Sequence, residues 1–178
     1  MLRKKMTSKK VLLVSNRVLH YRVSVYNYFF EKFRDHGWEF LVRSDSIQVK
    51  NSIQPKFDHK TIPFRFGKYR DEINAIKPDV VLLFLHLKNL IIWPLVHWLY
   101  FRKIPIVFWT KGLNMENPNN YLSRLLYHYM HAICDGLILY SENQMRYVWK
   151  RHRHKVVFAN NTVNYHEFPE IKDTAEEI

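Results

Sequence analysis

The sequence contains one cysteine, four glycines and no apolar run long enough to cross a bilayer. Because a disulfide needs two thiols, Cys134 excludes an internal one, and it equally excludes a cluster of thiolate metal ligands. Gly37 and Gly67 are isolated, so a glycine-rich phosphate loop of the dinucleotide-binding type is absent. No apolar stretch follows the basic residues at the start. We therefore expect no signal peptide and a reducing, cytoplasmic compartment.

Acidic residues are also few. The 28 lysines and arginines outnumber the 16 aspartates and glutamates, which gives a formal net charge of +12. The positive charge is concentrated in two basic clusters, residues 1–10 and 146–155, whereas the last ten residues are acidic. Such clusters attract the phosphates of anionic lipid or nucleic acid, but an ordinary solvated surface explains them equally well. No base-reading motif is present, so nucleic acid is the least expected partner.

Short apolar segments alternate with segments of helical period. We predict strands at residues 10–14, 38–43, 59–64, 79–85, 105–109, 137–140 and 156–159. We predict helices at about 23–33, 67–77, 88–103, 121–134 and 142–152. The last helix follows a capping-box pattern, Ser141-x-x-Gln144. Residues 79–85 are almost uniformly apolar, as in a strand buried on both faces. The sequence therefore predicts a Rossmann-like, doubly wound α/β fold with about seven parallel strands and helices on both faces.

Residues 88–103 form the most apolar part of the chain. Their apolar core, residues 90–101, is too short to cross a bilayer and contains Pro94 and His97. A crossover helix, with a kink at Pro94, is the favoured interpretation. Contact with a membrane interface is the alternative, because tryptophan and tyrosine side chains adjoin basic ones there.

Polar residues follow the predicted strands, and ligands of open parallel sheets bind beyond the carboxyl ends of the strands. The candidate set comprises Ser15, Asn16, Arg17, His20, Tyr21, Arg22, His86, Thr110, Lys111, Gly112, Ser141, Glu142, Asn160, Asn161 and Thr162. This set forms hydrogen bonds and is mildly basic, which suits a hydroxylated or phosphorylated ligand. Both basic clusters are predicted at the opposite, amino-terminal edge of the sheet.

No complete catalytic or metal-binding motif is present. His128 and His131 have helical spacing but no third ligand close in sequence, so a partly buried helix face is favoured over a metal site. The Gly-x-Ser-x-Gly, His-Glu-x-x-His and Walker lysine patterns are absent. The residue types alone do not identify a reaction.

Five segments, taken in order, resemble those of one known family. They are Val11–Arg22 with its Leu-His-Tyr-Arg, Lys77–Val81 followed by His86, Trp109–Gly112, Ala132–Ser141 and Val157–Phe168. Together they cover about residues 10–168 and resemble the amino-terminal domain of family four glycosyltransferases, which have the two-domain GT-B architecture. The chain departs from that family at Asn164, where aspartate is usual, and in lacking a glycine pair in the first loop.

The resemblance implies two regions. Residues 1–168 would form a Rossmann-like acceptor domain, and residues 169–178 an acidic tail that leads towards a carboxyl-terminal domain missing from this chain. The whole enzyme would transfer a sugar from a nucleotide-sugar to a glycan or glycolipid hydroxyl, with retention of configuration and no bound metal. The nucleotide-sugar would bind the missing domain, so this domain would hold no cofactor. The fragment alone is expected to be inactive.

The resemblance also implies roles for individual residues. His86 matches the position that contacts the donor sugar near the reacting centre. A glycan or lipid-linked acceptor is expected against Asn16, His20, Tyr21, Arg22, Lys111 and Gly112, with the cleft rim at Ser141, Glu142 and Asn161.

The implied setting is the synthesis of a bacterial surface polysaccharide or glycolipid, in the cytoplasm or peripherally at the inner face of the membrane. One alternative stays open: a non-enzymatic module of the same fold that docks on an anionic membrane or a protein partner through the basic clusters.

Overall fold

A computed structural model of the chain describes residues 8–48 and 53–159. The strands are β1 (Lys9–Val18), β2 (Trp38–Ile47), β3 (Asp58–Thr61), β4 (Val80–Phe84), β5 (Ile106–Thr110), β6 (Gly136–Leu139) and β7 (Val156–Phe158). The α-helices are α1 (His20–Asp35), α2 (Phe66–Ile76), α3 (Ile92–Phe101) and α4 (Tyr121–Ile133). Two 3-10 helices, Glu142–Tyr147 and Lys150–Lys155, separate β6 from β7.

The seven strands form one sheet in the order β3-β2-β1-β4-β5-β6-β7, and every pairing is parallel. The predicted doubly wound parallel sheet is therefore confirmed. β1 pairs with β2 on one edge and with β4 on the other. The strand order thus reverses at β1, which is the point where open α/β sheets hold their ligands.

Helices cover both faces of the sheet, as predicted. On one face, Tyr69 of α2, Leu95 of α3 and Met130 of α4 pack with Phe108 of β5 in one fully buried cluster. On the other face, Tyr26 of α1 belongs to a second cluster. Because both faces are covered, the central strands are apolar at consecutive positions rather than at alternate ones.

The first two strands are longer than predicted. β1 continues through Asn16 and Arg17 to Val18, in register with β2 as far as Ile47. The prediction ended both strands early because polar residues follow Val14 and Arg43. The hydroxyls of Ser15 and Ser44 are buried, but each donates to a carbonyl two residues along its own strand, at 2.8 and 2.9 Å. Buried serines satisfied in this way do not end a strand.

The helices after β4 and β6 also differ from the prediction. α3 begins at Ile92 rather than at residue 88, which places Pro94 in its first turn. Proline removes no helical hydrogen bond there, so the predicted kink has no cause. The α-helix predicted over 142–152 is wrong, since the chain forms two 3-10 helices. The Ser141 hydroxyl makes no capping bond, and the Gln144 side chain instead accepts from the backbone N–H of Tyr140 at 3.0 Å.

His131 of α4 is fully buried, and neither ring nitrogen has a hydrogen-bond partner among residues 8–48 and 53–159. Burial is the main cause that lowers its pKa, from 6.5 to about 3, with smaller contributions from His128, His152 and Lys155. The imidazole of His131 therefore stays neutral in the folded protein well below the pH at which the same group gains a proton in the unfolded chain. The predicted interpretation of His128 and His131 as a helix face is consistent with this burial.

The depressed pKa of His131 predicts a loss of stability in acid. Between pH 6.5 and 3 the unfolded chain binds a proton at His131 and the folded chain does not. The free energy of unfolding should therefore fall by about 1.4 kcal/mol per pH unit through this group, with its full contribution above pH 6.5. In urea titrations at several pH values, His131→Met should show a slope shallower by this amount. Met130→Leu, a buried neighbour that does not titrate, should keep the wild-type slope, and equal slopes for wild type and His131→Met would contradict the prediction.

Candidate functional site

A cavity of about 560 Å³ lies at the carboxyl ends of β1, β4, β5 and β6. Its position follows from the strand order, because the connections from β1 and β4 leave in different directions and do not fill the space between the strand ends. The lining combines aromatic side chains, asparagines and charged groups. This mixture suits a polar organic ligand with one anionic group rather than an apolar one.

The cavity brings together part of the predicted site. Asn16, Arg22, His86 and Lys111 line it, together with Ser15, Arg17 and Thr110. His20, Tyr21, Gly112, Ser141 and Glu142 are described residues that do not line it. Asn160, Asn161 and Thr162 lie outside the described residues. The geometry thus places seven of the fifteen candidate residues in one cavity, and their binding roles stay predictions.

Arg22 projects from the first turn of α1 into this cavity and is surrounded by aromatic rings. Its guanidinium carbon lies 4.2 Å from the ring centroid of Phe84 and 5.5 Å from that of Trp109. One of its nitrogens donates to the Tyr140 hydroxyl at 3.1 Å. Burial lowers the pKa of Arg22, but the oxygens of Tyr26 and Tyr140 outweigh burial and raise it overall. The cavity therefore contains a permanent positive charge held in a defined orientation.

The aromatic wall was missed by the sequence analysis. Trp109 stacks with Phe84 at 5.3 Å between centroids and contacts Tyr140 at 5.9 Å. Phe84 ends β4, Trp109 is the second-last residue of β5 and Tyr140 follows β6, but the sequence predicts them only as strand residues and not as part of the site. The one signal that could have found them is position, since Phe84 and Trp109 are paired neighbours at the ends of β4 and β5.

Charged groups from the segments after β4 and β5 also line the cavity. His86 is exposed, and its carbonyl accepts from the backbone N–H of Asn89 at 2.9 Å, which fixes a turn at the end of β4. Lys88 forms an ion pair with Glu116 at 2.7 Å. The pKa of Glu116 is lowered mainly by this Lys88 contact, and also by His86 and Lys111. These four side chains therefore lie close together, with more positive than negative charge.

Gly112 has a structural role of its own. Its φ of +79° lies in the left-handed region, and its backbone N–H donates to the Thr110 hydroxyl at 3.0 Å. A Cβ at this position would meet the Tyr147 Cβ at 3.3 Å and the Gln144 carbonyl oxygen at 3.4 Å. Glycine is therefore required so that the chain after β5 can pack beneath the 3-10 segment.

The basic cluster of residues 146–155 is partly used within the fold. The Lys155 ammonium donates to carbonyl oxygens at the end of α4, the shortest bond being 2.6 Å to Cys134. Arg153 donates to the Val148 carbonyl and Arg151 to the His152 ring. Lys155 directly precedes β7 and so lies at the amino-terminal edge of the sheet, as predicted, and the position of the other basic residues of this cluster stays a prediction. Residues 1–7 of the other cluster lie outside the described residues.

None of the helices in residues 8–48 and 53–159 is both long enough and apolar enough to cross a membrane. Within the same ranges, no group of three or more histidine, cysteine, aspartate or glutamate side chains could hold a metal ion.

Several solved structures share this fold. A glycosyltransferase from Rickettsia africae matches with a TM-score of 0.58 and 12% identity over 85% of this chain and 42% of that one. UDP-N-acetylglucosamine 2-epimerase from Rickettsia bellii matches with a TM-score of 0.55 and 14% identity, over 85% of this chain and 44% of that one. The UDP-GlcNAc 2-epimerase from Neisseria meningitidis, solved with UDP-GlcNAc bound, matches with a TM-score of 0.54 and 13% identity, over 84% of this chain and 45% of that one. The chain thus spans less than half the length of each.

At these identities the likeness shows the fold alone, a Rossmann-like α/β domain. No protein-family model matches the chain, and no curated protein matches its sequence. Family four is therefore not confirmed by these comparisons.

The geometry at the two positions predicts that alanine at Gly112 and alanine at Gly67 change the stability of the protein in opposite directions. Gly112→Ala should destabilise the protein by about 1–2 kcal/mol, because alanine is strained at positive φ and its Cβ is crowded. Gly67→Ala, in α2 with open space around the new Cβ, should stabilise it by about 0.5 kcal/mol. Urea unfolding measures both changes. Equal effects of the two substitutions would show that the backbone at Gly112 is not strained.

Proposed function

We propose that this chain is the acceptor-binding domain of a retaining GT-B glycosyltransferase, which transfers a sugar from a nucleotide-sugar to a hydroxyl of a glycan or lipid-linked acceptor. The observation that carries the proposal is the cavity at the strand-order reversal, which is lined by Arg22, held against aromatic rings, and by His86 and Lys111. In the proposed setting the enzyme works at the cytoplasmic face of a bacterial membrane.

The structural neighbours support this reaction class. One of them is a glycosyltransferase, and another, an epimerase, was solved with UDP-GlcNAc bound. Each is more than twice as long as the part that this chain matches. In the proposal the nucleotide-sugar binds a second domain that corresponds to the remaining length, and the domain described here holds the acceptor.

The cavity wall offers the contacts that a sugar needs. The ring of Tyr140, which is only partly buried, offers apolar surface against which the C–H face of a sugar ring can pack. The side-chain amides of Asn16, Asn89 and Asn114 both donate and accept, as sugar hydroxyls require. A volume of about 560 Å³ has room for an acceptor of one or two sugar units.

Arg22 favours an acceptor with an anionic group. A guanidinium binds phosphate or carboxylate through two parallel hydrogen bonds, and Tyr140 and the aromatic rings leave part of its donor set free for this. The shared chemistry is an oxyanion on or next to the accepting sugar. A lipid-linked sugar phosphate and an acidic sugar both provide it.

His86 and Lys111 are proposed to act at the reacting centre. In the transfer, the bond between the anomeric carbon and the nucleotide phosphate breaks, the acceptor oxygen bonds to that carbon, and the hydroxyl proton is released. Negative charge develops on the departing phosphate, and a hydrogen-bond donor or cation that is already oriented lowers the barrier. His86 lies at the open side of the cavity, where a donor sugar from a second domain would arrive.

The first test measures binding to the 178-residue chain itself. In calorimetric titrations with sugar 1-phosphates and the matching methyl glycosides, the phosphates should bind more tightly. Arg22→Met should weaken phosphate binding by about 10–100-fold, the usual value of a hydrogen-bonded ion pair, and leave glycoside binding less affected. Arg34→Met, on the last turn of the same helix, is the matched control. Equal affinity of wild type and Arg22→Met for every sugar phosphate would reject the acceptor site.

The second test needs the protein that contains the second domain. His86→Ala should lower kcat for sugar transfer by about 10²–10³, because a group that stabilises developing charge is removed. His36→Ala, which alters an exposed histidine after α1, should leave kcat unchanged. Circular dichroism checks that both variants fold. Unchanged kcat in a folded His86→Ala variant would remove the role assigned to His86.

A further inference from the structure

Helices α3 and α4 lie side by side and carry exposed apolar residues. The His97 Nε2 and the Tyr129 hydroxyl are hydrogen bonded at 2.6 Å, and the two rings stack at 5.7 Å. Around this contact the side chains of Phe101 and Tyr121 are each 78% exposed, and that of Leu122 is 63% exposed. We define the α3–α4 surface by its exposed residues Leu90, Phe101, Tyr121, Leu122, Leu125 and Tyr129.

The pattern within α4 shows that this exposure is one-sided. Leu122, Leu125 and Tyr129 are spaced three and four residues apart, so they form one stripe on the outer side of the helix. Tyr127 and Met130 on its inner side are buried against the sheet. α4 therefore has apolar side chains on two faces, and only one of them is covered in the described part of the chain.

The charge around this surface is almost entirely positive. Neither α3 nor α4 contains an aspartate or glutamate, and Glu116 is the single acidic residue between Asp79 and Asp135. Glu116 is already paired with Lys88. Arg102 and Lys103 follow α3, and Arg124 lies on α4.

A further cation borders α4 on its other side. Trp149 stacks on His128 of α4 with 4.2 Å between the ring centroids, and the Arg151 guanidinium lies 4.4 Å from the Trp149 ring. The pKa of His128 is lowered first by burial and then by Arg124 and Arg151, which locates both cations close to this helix. The apolar stripe thus has positive charge along both sides.

We propose that the α3–α4 surface docks on the surface of an anionic lipid bilayer. Leucine, phenylalanine and tyrosine side chains enter the boundary between headgroups and acyl chains, while arginine and lysine bind the lipid phosphates. A second copy of this chain fits less well, because pairing the same surface with itself brings like charges together. The charge pattern likewise excludes a basic protein partner.

The position of the surface relates docking to the cavity. Asn89, which lines the cavity, adjoins Leu90, and Met115 is both exposed and part of the cavity lining. A docked bilayer would therefore lie next to the cavity and bring a lipid-linked acceptor within reach. This last step relies on the proposed function, but the docking itself does not, so the experiment contains no sugar.

The test is flotation of the full 178-residue chain with vesicles of phosphatidylcholine alone and of phosphatidylcholine with about one third phosphatidylglycerol. We expect binding to the anionic vesicles that weakens with salt but persists in part at high salt, since the apolar contribution is not screened. Tyr121→Gln combined with Leu122→Gln leaves the net charge unchanged and should reduce binding roughly tenfold. Arg124→Gln should reduce binding mainly at low salt.

Two matched controls lie on α1, on the other face of the sheet. Tyr28→Gln removes an exposed tyrosine and Lys32→Gln an exposed cation, and both should bind like wild type. Wild-type binding by the Tyr121→Gln, Leu122→Gln variant would overturn the proposal. Equal binding of the wild type to both vesicle types would also overturn it. A third contradicting result is a wild-type dimer in analytical ultracentrifugation that this variant abolishes, with no binding of either protein to vesicles.

Discussion

The fold depends on the hydrogen bonding of β1 along both of its edges. β1 has β2 on one side and β4 on the other, so it lies near the middle of the sheet and its core positions are covered on both faces. α1 returns along one face of the sheet, where the end of the β2–β3 connection also packs, whereas α2, α3 and α4 cover the other face. The cavity and the position of Arg22, one turn into α1, both follow from this arrangement.

The contacts of Arg22 explain how a positive charge is stabilised at a partly buried position. Removing a guanidinium from water is costly, and the cost is offset only if the group keeps favourable contacts. Here the rings of Phe84 and Trp109 offer their negative faces, and the Tyr140 hydroxyl accepts a hydrogen bond. In the described part of the chain, Arg22 forms no ion pair with a carboxylate. A cation satisfied by rings keeps more of its charge available for an anionic ligand than one paired with an acid.

The sequence predicted the sheet well because long apolar runs have few alternatives. The side chains of residues 79–85 are kept from water only in a strand that is covered on both faces, and strands of this kind belong to parallel sheets. Local signals were weaker where a polar side chain bonds to the backbone of its own segment. Nothing near Ser15 indicates that its hydroxyl stays within the strand, and nothing near Gln144 indicates that its amide bonds to Tyr140 rather than capping a helix. About half of the candidate residues line the cavity. The ends of the predicted strands locate the site, but they do not indicate which aromatic rings form its wall.

The exposed residues of α3 and α4 can be separated from those needed for folding. Leu95 and Leu99 are fully buried and pack within the core, which is sufficient to hold α3 on the sheet. Phe101 and Leu122 gain nothing from folding, since most of their surface stays in water. Scattered exposed apolar residues are ordinary in proteins, but a stripe on adjoining helices that lack every acidic residue is not. Stability explains the inner sides of these helices, and an interaction with an apolar, negatively charged surface is what explains the outer sides.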